Sequence, residues 1–118
     1  MIDFSKEHKT LLSRLAKNPN DMEARADLLR CNCLWAEENI KGNKNTWQNA
    51  NLIHEVLQYG SLLLETGEMS MYDLVYKTCD RIKRTIFSHP RLSVKIPELE
   101  REALYLSLIH ISEPTRPE

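Results

Sequence analysis

The stretch that decides the fold is Asp21–Lys41, DMEARADLLRCNCLWAEENIK. Its apolar residues recur every three or four positions, which is the spacing of one face of an α-helix. They form two stripes rather than one. The first stripe comprises Met22, Ala26, Leu29, Cys33, Ala36 and Ile40, and the second comprises Ala24, Leu28, Cys31 and Trp35. Because a helix with two apolar stripes contacts neighbours on two sides, we expect this helix to lie at the centre of a bundle.

Helical patterns also occupy the segments on either side. They predict helices at about 5–17, 47–66 and 71–88, and a fifth that begins near Pro97. Ser5, Asn20 and Thr46 are the expected N-terminal caps of the first three helices, and Gly42 the expected C-terminal cap of the second. Short connections between amphipathic helices favour antiparallel neighbours. We therefore predict an all-α fold, a small antiparallel bundle of four to five helices.

Two junctions resemble those between tetratricopeptide units, in which a proline precedes a helix rich in small residues. They are residues 15–29, LAKNPNDMEARADLL, and residues 87–106, FSHPRLSVKIPELEREALYL. The resemblance implies helical hairpins of that repeat type. However, three long helices are predicted between Pro19 and Pro90, so the spacing favours a plain bundle over a true repeat.

The last residues, Leu106–Pro117, resemble the translation of a widely used transposase sequencing adapter. We therefore expect residues 106–118 to be adapter read-through, residues 1–105 to form a single native helical domain, and the native sequence to continue differently after Tyr105. His110 is accordingly not considered as a ligand.

Composition narrows the class of protein. The chain has 118 residues, 42% of them hydrophobic and 28% charged, with a net charge of −1. This balance gives no overall field towards nucleic acid or a membrane, and no apolar run reaches the length of a membrane-spanning helix. The first residues have no signal-peptide pattern, and three cysteines suit a reducing compartment. We expect a cytoplasmic protein.

No motif in the sequence predicts catalysis, a metal or a cofactor. Cys31 and Cys33 are two residues apart on a helix and point about 200° from each other, so they cannot share one ion. His54 lies on the stripe predicted to be apolar in the third helix and is expected to be at least half-buried. That stripe comprises Trp47, Ala50, His54, Leu57, Ser61 and Leu64. An enzyme using Cys79 or His54 is the least favoured interpretation.

Positive charge concentrates between residues 77 and 95. The cations there are Lys77, Arg81, Lys83, Arg84, Arg91 and Lys95, against the single acid Asp80. Lys77, Arg81 and Arg84 share one helical face, opposite an apolar stripe that runs from Tyr72 to Ile86. Such a face can contact nucleic acid or an acidic protein partner, or simply be solvated. The sequence leaves these three alternatives open.

A second possible surface is apolar. Leu34 interrupts the polar edge of the central helix, and Trp35 and Trp47 belong to a surplus of aromatic residues that a small core need not hide. These three residues predict contact with a partner protein or a second copy. The most favoured function is therefore a small helical module that binds another protein or itself, without catalysis. The alternative is a nucleic-acid-binding accessory protein that uses the basic face.

Overall fold

The computed structural model describes residues 3–42, 46–85 and 95–112. Five α-helices and no strand occur in these three ranges, which confirms the predicted all-α bundle. The helices are α1 (Phe4–Lys17), α2 (Met22–Lys41), α3 (Thr46–Leu64), α4 (Met69–Thr85) and α5 (Ile96–Ser112).

Aspartates cap the first two helices, one or two residues from the predicted caps. The carboxylate of Asp3, not the Ser5 hydroxyl, accepts the N–H three residues further on at the start of α1. At the start of α2, the carboxylate of Asp21, not the side chain of Asn20, accepts the N–H of Ala24 at 3.0 Å. Aspartate caps a helix as well as serine or asparagine, and its negative charge also favours the positive end of the helix dipole. Gly42 is the C-terminal cap of α2, as predicted.

The helices α2 and α3 form an antiparallel hairpin whose register is fixed by buried amides. Asn39 Nδ2 donates to Asn49 Oδ1 at 3.0 Å, near the end of α2 and the start of α3. Asn32 Nδ2 donates to the carbonyl oxygen of Leu52 at 3.0 Å, about two turns further from that junction on α2 and three residues further on α3. Asn32, Asn39 and Asn49 are all buried, and a buried amide is costly unless it is hydrogen-bonded. The apolar pattern of the sequence did not mark these three asparagines as core residues.

The helices α4 and α5 form a second antiparallel hairpin. Lys83 Nζ lies 2.7 Å from Glu100 Oε1 near the start of α5, and the Ser107 hydroxyl lies 3.7 Å from Met69 Sδ at the other end. α5 thus extends into the residues expected to be adapter read-through, and Leu106 packs against the main core.

The two hairpins stack with α2 beside α4 and α3 beside α5, each pair running parallel. Contacts between α2 and α4 advance together along both helices, from Met22 and Met71 to Glu37 and Arg81. Stacked helical hairpins occur both in bundles and in repeat proteins.

Gly60 on α3 marks the point where four helices meet. A Cβ atom built on Gly60 would lie 3.0 Å from Leu99 Cδ2 on α5, 3.7 Å from Val75 on α4 and 3.8 Å from Leu29 on α2. A glycine here allows a close approach between the hairpins within the main core.

The central position predicted for α2 is confirmed. One side of α2 enters the main core through Ala26, Leu29 and Cys33. Its other side packs against α1 in a separate cluster composed of Leu11, Leu15, Ala24, Leu28 and Cys31. Both predicted stripes are therefore used, one towards each neighbour.

The stripe predicted for α3 was wrong by one residue. The buried face comprises Asn49, Leu52, Ile53, Val56, Gly60, Leu63 and Leu64. Most of these residues lie one position before a residue of the predicted stripe. The buried face is therefore rotated by about 100° about the helix axis from the predicted one. α3 is apolar on much of its circumference, and Asn49 and Gly60 gave no apolar signal, so the pattern favoured the neighbouring face.

None of the helices within the described ranges has both the length and the apolar character needed to cross a membrane.

Candidate functional site

A surface groove runs between α2 and α4. We call it the α2–α4 groove, and it has a volume of about 260 Å³. Its lining residues are Arg30, Cys33, Leu34, Leu74, Lys77, Thr78 and Arg81. Since α2 and α4 run side by side, the fold brings together Leu34, predicted to contact a protein, and Lys77 and Arg81, predicted to contact an acidic partner or nucleic acid.

The floor of the groove is apolar. Cys33 and Thr78 are buried there, and Leu34 and Leu74 are half-buried, so part of each leucine remains in water. This placement explains why Leu34 interrupts the polar edge of α2: that edge faces the groove. Exposed apolar surface between two helices is a common element of protein contact sites.

Four of the six cations counted between residues 77 and 95 have carboxylate partners in the described part of the chain. The ion pairs are Lys77 with Asp73 at 2.9 Å, Lys83 with Glu100 at 2.7 Å, Arg84 with Asp80 at 2.5 Å, and Arg81 with Glu37. Glu37 and Glu100 come from other helices, which the sequence pattern could not reveal. The local excess of positive charge is therefore much smaller than the count along the sequence suggests. Lys95, which is exposed, lines a different cavity between α3 and α5. Arg91 lies outside the described residues.

Arg81 and Glu37 link the two walls at one end of the groove. The guanidinium of Arg81 donates to both carboxylate oxygens of Glu37, and the Nη2–Oε1 distance is 3.0 Å. Hydrogen bonding and the charge of Glu37 raise the pKa of Arg81 above its usual value. Arg81 therefore keeps its positive charge at every physiological pH.

A second cavity continues the groove towards the N-terminal end of α2. Met22, Glu23, Ala26, Asp27, Arg30 and Met71 line it. Arg30 lines both cavities, so they are adjacent. We call the two together, from Met22 to Leu34, the extended groove. Twelve residues of α-helix span about 18 Å, or about three turns.

The charge along this extended groove changes sign from end to end. Glu23 and Asp27 line the end near the N-terminus of α2, whereas Lys77 and Arg81 line the other end. Arg30, in the middle, pairs with Asp27 at 2.8 Å. The extended groove therefore has an acidic end, an apolar floor and a basic end.

The three residues predicted as a protein interface do not form one surface. Trp35 faces α1, where its ring stacks on Phe4 with a centroid distance of 6.4 Å and meets the edge of His8 at 5.5 Å. Trp47, at the start of α3, is 80% exposed. Only Leu34 lies in the α2–α4 groove.

The three cysteines are buried and their thiols are held protonated. Burial and nearby carboxylates raise the pKa of Cys31 to about 11, and burial raises those of Cys33 and Cys79 to about 12. Cys31 belongs to the α1 cluster and Cys33 to the main core, as expected for residues on opposite sides of a helix. In the part of the chain that is described, no three potential ligands are grouped so that they could hold a metal ion.

The histidines have different surroundings from those predicted. His54 is exposed, because the buried face of α3 is rotated away from it. Instead, His8 on α1 lies 2.6 Å from Glu55 Oε1 on α3, and that same oxygen accepts from Asn32 Nδ2 at 2.8 Å. This polar network links α1, α2 and α3. A pair separated by 47 residues gives no local sequence signal.

Comparison of the chain with protein-family models, with curated proteins and with solved structures finds no match.

Proposed function

We propose that this chain binds a protein partner and that the α2–α4 groove is its contact surface. The single observation that carries the proposal is the position of Leu34. This leucine and Leu74 form a partly exposed apolar floor, with charged side chains on both walls. A protein segment with apolar and charged side chains matches such a surface.

The pairing of the cations favours a protein over nucleic acid. Nucleic acid binding depends on cations that neutralise phosphates and release counterions. Here Lys77, Arg81 and Arg84 each already face a carboxylate, so a phosphate backbone would meet acids as well as bases. An apolar floor between the cations adds nothing to phosphate binding.

Selection of natural protein fragments by display on phage, with the chain as bait, would test the proposal. Each selected fragment is then titrated by fluorescence anisotropy with the wild-type chain and with Leu34→Lys. We expect Leu34→Lys to weaken binding at least about tenfold, because it places a charge on the apolar floor. Lys77→Glu, at a side chain that is 72% exposed, provides a second groove variant that should leave folding intact.

Ser13→Lys is the matched control, since Ser13 is exposed on α1 and does not line the groove. Circular dichroism establishes that each variant is folded. Fragments that bind the wild type and both groove variants equally well would refute the proposal. Sedimentation of the wild type and Leu34→Lys would identify the case in which the partner is a second copy of the chain.

The nucleic-acid alternative has its own test. Labelled RNA and duplex DNA are titrated with the wild type at low and moderate salt, and with the triple variant Lys77→Glu, Arg81→Glu, Arg84→Glu. Binding that weakens steeply with salt and disappears in the triple variant would favour nucleic acid over a protein partner.

A further inference from the structure

We infer that the occupant of the extended groove is an amphipathic α-helix that runs antiparallel to α2 and α4, with acidic residues in its first turn and basic residues in its last. This inference rests on the proposed function and specifies the partner. It follows from the order of charges along the groove, from the helix dipole, and from the spacing of the apolar residues.

The order of charges sets the direction of the occupant. The basic end, with Lys77 and Arg81, lies towards the C-terminal ends of α2 and α4, and the acidic end, with Glu23 and Asp27, lies towards the N-terminus of α2. Lys77 and Arg81 line the groove, whereas their carboxylate partners Asp73 and Glu37 do not. A ligand seated in the groove therefore meets these cations directly, and one that complements both ends carries its acids near Lys77 and its bases near Glu23. Complementary charges across an interface fix orientation and register even where they add little affinity.

The helix dipole selects the same direction. Acidic residues stabilise the first turn of a helix and basic residues stabilise the last. A helix with that natural distribution complements the groove only if its first turn lies at Lys77 and Arg81. It then runs opposite to α2 and α4, so its dipole is also antiparallel to theirs.

The apolar residues of the groove set the length of the occupant. Met22 and Met71 lie at the acidic end, and Leu34 and Leu74 lie at the basic end. On α2, Met22 and Leu34 are twelve positions apart, which is about 18 Å or about three helical turns. On α4, Met71 and Leu74 are only three positions apart, so α2 sets the length of the groove. A helix with apolar residues at positions i, i+4, i+7 and i+11 would contact both ends with one face. Methionine at one end allows the floor to adapt to different side chains.

The test uses a displayed library of 15-residue helical peptides. Leucine is fixed at four positions with this spacing, and the first and last turns vary freely among Glu, Lys and Ala. The library is selected on the wild-type chain after depletion on Leu34→Lys, so that only binders that depend on the groove remain. We expect peptides with Glu in the first turn and Lys in the last to bind roughly tenfold more tightly than those with the reverse order.

The outcomes separate the two proposals. Groove-dependent peptides without a charge order, or with the reverse order, would overturn the inference and leave the protein-binding function standing. Failure to enrich any groove-dependent peptide, together with failure of the natural fragments, would overturn both.

A charge exchange on the chain provides the decisive control. The double variant Glu23→Lys, Lys77→Glu alters two exposed side chains at opposite ends of the groove. We expect it to reduce the preference for the original charge order by at least about fivefold. An unchanged preference would show that the order arises in the peptide helix itself and would overturn the inference.

Discussion

Arg81 on α4 donates hydrogen bonds to both carboxylate oxygens of Glu37 on α2, a residue 44 positions earlier in the chain. This pair joins the C-terminal part of α4, in the second hairpin, to the central helix of the bundle. It also forms one end of the proposed binding groove, so the stability of the fold and the shape of the groove are linked there.

A double-mutant cycle with Glu37→Gln and Arg81→Gln measures the strength of this pair. We expect a coupling free energy of about 0.5–1 kcal/mol, because two hydrogen bonds in one geometry raise it above a simple surface pair while the exposure of Arg81 lowers it by solvent screening. Urea unfolding of the four proteins gives the value. The exposed pair Asp80–Arg84 is the control and should give about 0.3–0.5 kcal/mol. A smaller coupling for Glu37 and Arg81 than for the control pair would contradict the prediction.

Substitution of Gly60 should reveal the close contact with Leu99. Alanine is favoured over glycine within a helix by about 1 kcal/mol, but its Cβ would lie 3.0 Å from Leu99 Cδ2. We therefore expect Gly60→Ala to change stability by less than about 0.5 kcal/mol in the wild type. Leu99→Val removes the δ-carbons, and in that background Gly60→Ala should stabilise by about 0.5–1 kcal/mol. Equal effects in both backgrounds would show that the two residues do not compete for space.

The buried thiols should react only after unfolding. Because the pKa values of Cys31, Cys33 and Cys79 are raised to about 11 or 12, little thiolate is present at pH 8, and the reagent also lacks access. We expect a disulfide reagent to modify all three cysteines in denaturant and none rapidly in the native protein. Ser70→Cys, at an exposed position, is the positive control and should react at once. Rapid modification of one of the three cysteines in the native protein would contradict the prediction. It would mean that the region around this cysteine opens readily.

The cap of α2 should make stability depend on acid pH. The N–H of Ala24 lowers the pKa of Asp21 below 3.8, and the charge of Arg14 adds to this against the opposing effect of burial. A carboxyl whose folded pKa is depressed contributes stability that is present above its unfolded pKa and is lost as the pH falls through the folded pKa. Asp21→Asn keeps an oxygen acceptor but removes the charge. Its melting temperature should therefore lie below that of the wild type at pH 7 and approach it at a pH well below 3.8.

Asp21→Ala separates the hydrogen bond from the charge. It removes the acceptor as well, so we expect a lower melting temperature than for Asp21→Asn at neutral pH. Equal melting temperatures for the two variants at neutral pH would mean that the charge alone matters at this position.

The sequence predicted those features that depend on local periodicity. The two stripes of α2 were read correctly because small and apolar residues alternate there with charged ones. The stripe of α3 was not, since Leu57 competes with Val56 one position away, and the buried Asn49, next to Ala50, looks polar. A pattern cannot show that an asparagine is buried when its partner, Asn39, lies on another helix.

The candidate site was predicted only in part. Leu34 was singled out because it breaks a polar edge, and Lys77 and Arg81 because they share a helical face. That these residues line one groove depends on the packing of α2 against α4, which no local spacing encodes. The neutralisation of Arg81 by Glu37 and of Lys83 by Glu100 depends on the same long-range packing.

The pairing of each helix with its neighbour in the chain has a kinetic consequence. The hairpins α2–α3 and α4–α5 close over connections of four and ten residues, and the entropy of loop closure grows only slowly with loop length. Chains dominated by such local contacts fold in microseconds to milliseconds. α1 joins the bundle mainly through one small cluster on α2, so its amide protons should exchange with solvent before those of the helices that surround Gly60.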